Sequence, residues 1–200
     1  MLMGNTVGSP KSNLVTPYRL SFVDKTKLDG ECVRHIRTNQ TFHNTPTNLV
    51  ITPEYISGYV DGEGSFLISF SPRQKFSVGL EVRPSFSVSQ RSDRSRVLRE
   101  MHSYFNCGSI RKSRKDFCDK YEVRSVKDLC NVIIPHFLTY PLLSEKQREV
   151  ELFAQVCELV KKGEHRNKEG IVKIIHLSCQ MNVGGSRRYL KRELLARLKI

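Results

Sequence analysis

One short segment of this chain, residues 56–65, contains residue types and spacings that could do chemistry; it reads ISGYVDGEGS. Gly58 and Gly62 are four positions apart, so on a helix they would share one face, and two such helices could approach backbone to backbone. Asp61 and Glu63 would then lie at the end of that helix. Carboxylates held there can ligate a hard divalent cation such as Mg²⁺, which prefers oxygen ligands. Such an ion lowers the pKa of bound water and stabilises the leaving oxygen in phosphodiester hydrolysis.

The same letters also allow a purely structural interpretation. D-G-E-G is typical of a tight turn, in which the glycines supply positive φ angles and the acidic side chains face water. The segment alone leaves both interpretations open, and the order of the elements around it favours the chemical one.

The elements that must position the segment follow from hydrophobic periodicity. Pro53 can open a helix at its first turn, and alternating apolar and polar residues over 79–90 indicate a strand. We predict an α+β fold with the order α-β-β-α-β-β-α and a four-stranded antiparallel sheet, followed by further helices. The predicted helices are 54–61, 92–105, one from 128, 145–161 and 168–182; the predicted strands are 66–70, 79–90, 109–114 and 120–125, with a turn at 106–108.

Four strands with helices on one side leave the other face of the sheet open. The open face would carry short polar side chains mixed with Arg and Lys. That suits a nucleic-acid groove, because Arg can fork onto guanine and Ser can pair with several bases; a merely solvated face shows the same alternation. The predicted core face is Phe66, Ile68, Phe70, Val82, Phe86, Val88, Ile110, Tyr121 and Val123, and the predicted open face is Ser69, Ser71, Arg73, Arg83, Ser87, Ser89, Arg111, Ser113, Lys120, Glu122 and Arg124.

Composition favours the same partner. The 200 residues hold 33 Lys and Arg against 20 Asp and Glu, a net charge of +13, which favours nucleic acid although it also serves solubility. The six cysteines show no C-x-x-C pair and the histidines no H-x-x-x-H spacing, so a structural zinc site is not expected. We expect reduced, mostly buried thiols, no secretion and no membrane span.

Two terminal segments differ from the domain predicted between them, residues 51–183. Residues 1–50 are polar and aperiodic, and a disordered arm, a targeting segment and read-through from an upstream frame all remain open. Residues 184–200 form a basic tail that includes Arg187 and Arg188. We expect this tail to lie along phosphates, or alternatively to be a disordered end.

With these elements around it, ISGYVDGEGS resembles the motif of the LAGLIDADG homing endonucleases, and the resemblance covers about residues 54–182. It implies that the motif helix, with Gly58, Tyr59 and Gly62, packs against its twin at the centre of a dimer. It further implies that Glu63 is the metal-binding acid, that the Gly62 carbonyl is a second ligand, and that Asp61 mainly holds the helix end. The implied ion is Mg²⁺, for which Mn²⁺ can substitute.

Two more site residues follow from the same resemblance. Gln90, at the end of the second strand, matches a Gln that orders water around the metals. Lys146, in the stretch YPLLSEKQ, matches an active-site Lys that polarises solvent or stabilises transition-state charge. Arg91 would add a phosphate contact nearby. A strand-end amide and an exposed first-turn lysine are the structural alternatives for Gln90 and Lys146.

Only one copy of the motif is present, so the resemblance implies a homodimer that makes metal-dependent double-strand breaks in a long, near-palindromic DNA site. It implies an intron-encoded enzyme of an organelle (mitochondrion or chloroplast) or of a microbial genome. An RNA maturase that binds its own intron RNA, and a non-cleaving DNA-binding protein on the same fold, remain alternatives. The joint presence of Glu63, Gln90 and Lys146 argues against the second of these.

Overall fold

The computed structural model describes residues 50–113, 116–181 and 189–198. The expectations for residues 1–49, for Arg187 and for Arg188 lie outside these ranges. None of the helices in the described ranges is long and apolar enough to cross a membrane.

The motif lies on the first helix, α1, which spans Pro53–Glu63 and runs directly into strand β1, Gly64–Pro72. The hydroxyl of Thr52 caps the helix by accepting from the backbone N–H of Tyr55 at 3.2 Å, and Pro53 fits the first turn, where no N–H is needed. The helix therefore begins where the local sequence dictates.

The sheet has four antiparallel strands in the order β1-β2-β4-β3. Strand β2 spans Leu80–Arg91, β3 spans Ser109–Lys112 and β4 spans Cys118–Val123. The long β2 pairs with β1 along its first part and with β4 from Phe86 onward, so it is the central strand that sets both registers.

The helices follow in chain order and cover one face of the sheet. Their bounds are Arg96–Phe105 for α2, after a 3₁₀ turn at Ser92–Arg94; Val126–Asp128 for α3; Ile134–Thr139 for α4, with a π-helical turn at Leu129–Ile133 between α3 and α4; Lys146–Lys161 for α5; Lys168–Gln180 for α6, after a 3₁₀ turn at Glu164–Arg166; and Lys191–Ala196 for α7.

Aromatic rings join the sheet to the helices. The ring of Phe66 on β1 lies 5.2 Å from Phe86 on β2, 5.5 Å from Phe137 on α4 and 5.4 Å from Phe153 on α5, measured between centroids. Phe86, Phe137 and Phe153 are fully buried and Phe66 nearly so. Offset and edge contacts of this kind add to the hydrophobic burial, so the core fixes β1, β2, α4 and α5 relative to one another.

The predicted fold class and element order are confirmed, and the differences lie at element ends. The helix predicted over 92–105 starts only at Arg96, because Ser92–Arg94 form a separate 3₁₀ turn. The helix predicted from 128 starts at Val126, because the Ser125 hydroxyl accepts from the N–H of Asp128 and caps it there. Strand β4 begins two residues earlier than predicted, at Cys118, and ends at Val123.

Burial departs from expectation in three places. Phe70 and Ile110 are only partly buried, since each lies on an outer strand of the sheet. Of the described cysteines, only Cys157 is buried; the other four, Cys107, Cys118, Cys130 and Cys179, are half-exposed. Part of the basic tail is folded, because Leu194 on α7 and Leu198 beyond it join the hydrophobic core, so a disordered end is the wrong description of residues 189–198.

Candidate functional site

The end of α1 presents its acidic residue to solvent. Glu63 is the last residue of the helix and is exposed, and the described ranges contain no hydrogen bond or ion pair to its carboxylate. A Cβ placed on Gly58 or on Gly62 would meet no atom within 4 Å. This face of α1 therefore has nothing packed on it within the described part of the chain.

Asp61, two residues before Glu63, has a different environment. Its Oδ2 accepts from the backbone N–H groups of Leu143 at 3.1 Å and Ser144 at 3.0 Å, and its Oδ1 accepts from the Ser144 hydroxyl. The Ser144 hydroxyl lowers the pKa of Asp61 below its usual value; desolvation opposes the shift, while the two N–H groups and the Lys146 ammonium add to it. Asp61 thus stays ionised and ties the loop before α5 to the end of α1.

Lys146, the first residue of α5, braces the same helix end. Its ammonium donates to the backbone carbonyls of Val60 at 3.1 Å, Asp61 at 2.7 Å and Gly64 at 3.0 Å. An ammonium has three donors, so these contacts use all of them. A cation at a helix C-terminus also interacts favourably with the helix dipole. The structure therefore places Lys146 at the motif, with its charge directed to backbone oxygens on either side of Glu63.

Gln90 reaches the motif helix from the sheet. Gly64 pairs with Val88, so Gln90 lies two residues beyond the start of β1, at the end of the sheet next to α1. Its amide nitrogen donates to the hydroxyl of Tyr59, and its amide oxygen accepts from the N–H of Arg91. Arg91 itself is exposed and pairs with Asp93 at 3.2 Å. All three predicted catalytic residues therefore converge on the junction of α1 and β1.

The register assembles the open face as a set of cross-strand pairs. Directly paired residues point to the same face of a sheet. The pairs on this face are Ser69 with Arg83, Ser71 with Glu81, Ser87 with Glu122, Ser109 with Glu122, Ser89 with Lys120, and Arg111 with Lys120. Arg73, Ser113 and Arg124 lie just beyond strand ends.

Neighbouring residues on this face already contact one another. Arg83 donates to the Ser71 hydroxyl at 2.5 Å, and Glu81 pairs with Arg73 at 3.0 Å. Ser87 and Glu122 are buried, with exposed fractions of 7% and 5%, although they lie on the open face. Side chains on the face therefore shield part of it from water.

Some residues of this face were missed from the sequence. Leu67, which pairs with Ser85, is 51% exposed there. The predicted open face contains only polar and charged residues, so it omits Leu67. The alternation with the core residues Phe66 and Ile68 nevertheless places Leu67 on the open face. Away from this face, in the loop before α5, Leu143 lies beside the Asp61 contact and is 96% exposed, and no periodicity marks it.

The donor set for a metal ion is small within one chain. No group of three or more His, Cys, Asp or Glu side chains lies together in the part of the chain that the structure describes. The motif offers two kinds of oxygen that Mg²⁺ accepts, the Glu63 carboxylate and the backbone carbonyl of Gly62.

The fold and the site define an α+β domain in which the first helix ends in an exposed acid beside a polar, basic sheet face. The sequence model of the LAGLIDADG endonuclease family matches residues 56–157, just over half of the chain. The chain belongs to this family.

Two of the curated proteins that are similar to this chain have names that refer to introns. An uncharacterised 50.9 kDa protein in ND4 intron 1 of Podospora anserina is 37% identical over 66% of this chain and 29% of its own length. A probable intron-encoded endonuclease 3 of Neurospora crassa is 31% identical over 72% of this chain and 27% of its own length. The chain thus spans less than a third of the length of these two relatives.

Solved structures share the fold. The homing endonuclease I-TnaI is 28% identical, with a TM-score of 0.65, over 74% of this chain and 95% of that protein. I-SmaMI bound to uncleaved DNA in the presence of calcium ions is 32% identical, with a TM-score of 0.66, over 73% of this chain and 48% of that protein. The match takes in nearly all of the I-TnaI chain and about half of the I-SmaMI chain.

Proposed function

We propose that this chain is a site-specific, intron-encoded DNA endonuclease that acts as a homodimer and makes metal-dependent double-strand breaks in a near-palindromic site. The position of Glu63 carries the proposal. Its exposed carboxylate lies at the end of the sheet where the open face, Gln90 and Arg91 also end. A bound duplex on the open face would bring its backbone to this acid.

The unpacked face of α1 supports the dimer. Gly58 and Gly62 lie one turn apart with open space above both, and Tyr55 one turn before Gly58 is 56% exposed. Two copies of this face can approach closely, since glycines leave room for backbone contact. A two-fold axis between them would bring the two Glu63 carboxylates to the centre of the assembly. The match to nearly the whole I-TnaI chain favours a one-domain protomer.

The proposed site is completed between two protomers and the DNA. Mg²⁺ prefers about six oxygen ligands, and the Glu63 carboxylate and the Gly62 carbonyl would be the protein ligands that each copy offers. Phosphate oxygens and water would supply the rest. When bound, the ion supplies an activated water and stabilises the leaving oxygen.

The chain's own residues hold that site in place. Asp61 and Lys146 fix the carbonyls and the loop on either side of Glu63. Gln90 lies at the end of the sheet next to α1, where release of its amide from the Tyr59 hydroxyl would let it order water. Arg91 would contact a phosphate. These roles extend the contacts described above to a complex with DNA.

The open face is the proposed DNA-binding surface. One solved relative has a DNA target bound, and the cross-strand pairs give this chain the Arg, Lys and Ser side chains that read base edges. Lys191 and Arg192 on α7 are cations of the basic tail, which would give salt-sensitive, sequence-independent affinity. We place the protein in an organelle or a microbial cell that carries the intron.

A cleavage selection tests the proposal. The full chain is incubated with a DNA library that contains intron-insertion sites and randomised near-palindromes, with Mg²⁺, with Mn²⁺ or with EDTA. We expect recovery of one related set of sites, cut on both strands only when the metal is present. Specific binding of DNA or intron RNA without any cleavage would contradict the endonuclease and favour the maturase or the non-cleaving alternative.

A further inference from the structure

Glu122 is more deeply buried than Glu81, the other acid that the strand pairing places on the open face. Its side chain is 4% exposed, although it lies on the open face of the sheet. Its cross-strand neighbours are Ser87 on β2 and Ser109 on β3, both short, so the carboxylate lies low between longer side chains. Taking a charge out of water is costly unless other charges compensate for it.

Three cations surround this carboxylate. Arg124 grips it with two nitrogens, Nε to Oε2 at 3.0 Å and Nη2 to Oε1 at 3.1 Å, which is the fork geometry that makes Arg–carboxylate pairs specific. Arg111 Nη2 lies 3.6 Å from Oε2, and Lys120 Nζ lies 3.5 Å from Oε1. Both carboxylate oxygens are therefore engaged.

The same three cations are exposed on their outer sides. The side chains of Arg111, Lys120 and Arg124 are 58%, 43% and 53% exposed. Arg111 and Lys120 are directly opposite each other on β3 and β4, where like charges repel. A carboxylate in contact with both offsets that repulsion, while each of these cations keeps about half of its side chain exposed.

We propose that Glu122 is a positioning residue that sets base preference by holding Arg111, Lys120 and Arg124 in fixed orientations on the open face. This inference rests on the proposed function, because it presumes that the open face binds DNA. Untethered lysines and arginines bind phosphates without regard to sequence. Arginines held in one orientation can form the paired hydrogen bonds that distinguish guanine.

A direct role for Glu122 in base reading has less support. A carboxylate can accept from the amino group of cytosine. Here, however, both oxygens already contact cations, and 4% exposure leaves almost no surface for a base. Glu122 therefore acts through its neighbours.

Two variants separate this role from simple loss of charge. Glu122→Gln keeps the shape and removes the negative charge. Glu81→Gln is the matched control, because Glu81 lies on the same face and pairs with Arg73 at 3.0 Å and Arg83 at 3.9 Å, away from the Glu122 cluster. Both variants change the net charge of the chain equally.

The first measurement uses the free protein. Arginine side-chain NMR reports how rigidly the Nε–H of Arg124 is held. We expect a rigid signal in the native chain and in Glu81→Gln, and a mobile one in Glu122→Gln. A mobile Arg124 in the native chain would overturn the proposal without reference to DNA.

The second measurement is binding selection from a randomised DNA library with EDTA present, so that no strand is cut. For Glu122→Gln we expect discrimination at the most sensitive base positions to fall by about tenfold, with non-specific affinity increased relative to Glu81→Gln. Equal base preference in the native chain and Glu122→Gln would overturn the inference alone. Loss of preference for cytosine at a single position, with all other positions unchanged, would overturn it in favour of direct reading. A native chain that prefers no DNA would contradict the proposed function, and this inference with it.

Discussion

At the motif, the side chains of Asp61 and Lys146 are hydrogen-bonded to the protein, whereas that of Glu63 is exposed. Asp61 accepts hydrogen bonds from the loop before α5, and the Lys146 ammonium donates to backbone carbonyls of the motif. Glu63 between them has none in the described ranges. The exposed Glu63 carboxylate therefore differs from its engaged neighbours, in agreement with the metal-ligand role that we propose for it.

Replacement of Lys146 by Met tests the bracing at the residue scale. The variant leaves three carbonyls at the end of α1 without their cationic donor. We expect the free energy of unfolding to fall by about 1–3 kcal/mol, since hydrogen bonds with charged donors are stronger than neutral ones. Urea denaturation at neutral pH measures the change.

The matched control is Lys127→Met, which removes a lysine that is exposed. Surface substitutions of this kind change stability by less than about 0.5 kcal/mol. Equal stability of the native chain and Lys146→Met would show that the ammonium does not brace α1 in solution.

At the scale of elements, the packing of α4 gives the domain a dependence on pH. His136 on α4 is buried between Tyr104, Phe105, Phe137 and Tyr140. Its Nδ1 lies 3.3 Å from the Tyr104 hydroxyl, and its Nε2 is buried with no hydrogen-bond partner in the described ranges. Burial lowers the pKa of His136 from 6.5 to about 4, while Glu54 partly opposes the shift.

The sign of the resulting pH dependence follows from linkage. The unfolded chain binds a proton at His136 below pH 6.5, whereas the folded chain does so only near pH 4, so acid favours unfolding over this window. Replacement by Phe should remove this contribution. All other titratable groups should contribute equally in both proteins. Between pH 7 and pH 5 we therefore expect the free energy of unfolding of the native chain to fall by about 1–2 kcal/mol more than that of His136→Phe. Thermal or urea unfolding at the two pH values gives the comparison, and parallel pH profiles would contradict it.

How far the sequence predicts the structure depends on the kind of contact. The alternation of apolar and polar residues in β2 predicts its faces, because one side meets the core and the other meets water. The sequence also predicts the turn that ends α2. Asn106 there adopts a φ of 48°, a left-handed conformation that Asn tolerates. Local features such as these depend on a few adjacent residues and can therefore be predicted from the sequence.

Contacts between distant residues are not predictable in the same way. Lys146 and Asp61 are 85 positions apart, and no local sequence pattern predicts that the ammonium will bind the Asp61 carbonyl. The burial of Glu122 depends on the short side chains across two neighbouring strands, which only the register reveals. Helix α7 was missed because its Leu194 becomes buried only once α6 is in place.

At the scale of the whole molecule, the unpacked face of α1 predicts self-association. Gly58→Leu adds a side chain where the single chain has open space, and Leu favours helix over Gly by up to about 1 kcal/mol. We expect the variant chain to fold with unchanged or greater thermal stability as a monomer, while the dimer weakens. Sedimentation velocity over a range of concentrations shows the shift.

Gly64→Ala is the control for this variant, because it should lower the stability of the single chain instead of leaving it unchanged. A Cβ at Gly64 would lie 2.4 Å from Cγ1 of Val60 and 2.7 Å from its carbonyl oxygen, so the single chain itself should lose stability. If Gly58→Leu stays as dimeric as the native chain, the α1 face is not the contact between copies.

In the proposed reaction, cleavage depends on a metal ion that Glu63 holds. The most direct measurement is linearisation of a supercoiled plasmid that carries the selected site, with Mg²⁺ or EDTA, by the native chain, Glu63→Gln and Glu54→Gln. Glu54 is the other acid at an exposed position of α1, and serves as the matched control. We expect the native chain and Glu54→Gln to linearise the plasmid only with Mg²⁺, and Glu63→Gln to bind the site with native affinity and leave it intact. Linearisation by Glu63→Gln at the native rate, or by the native chain in EDTA, would contradict the account.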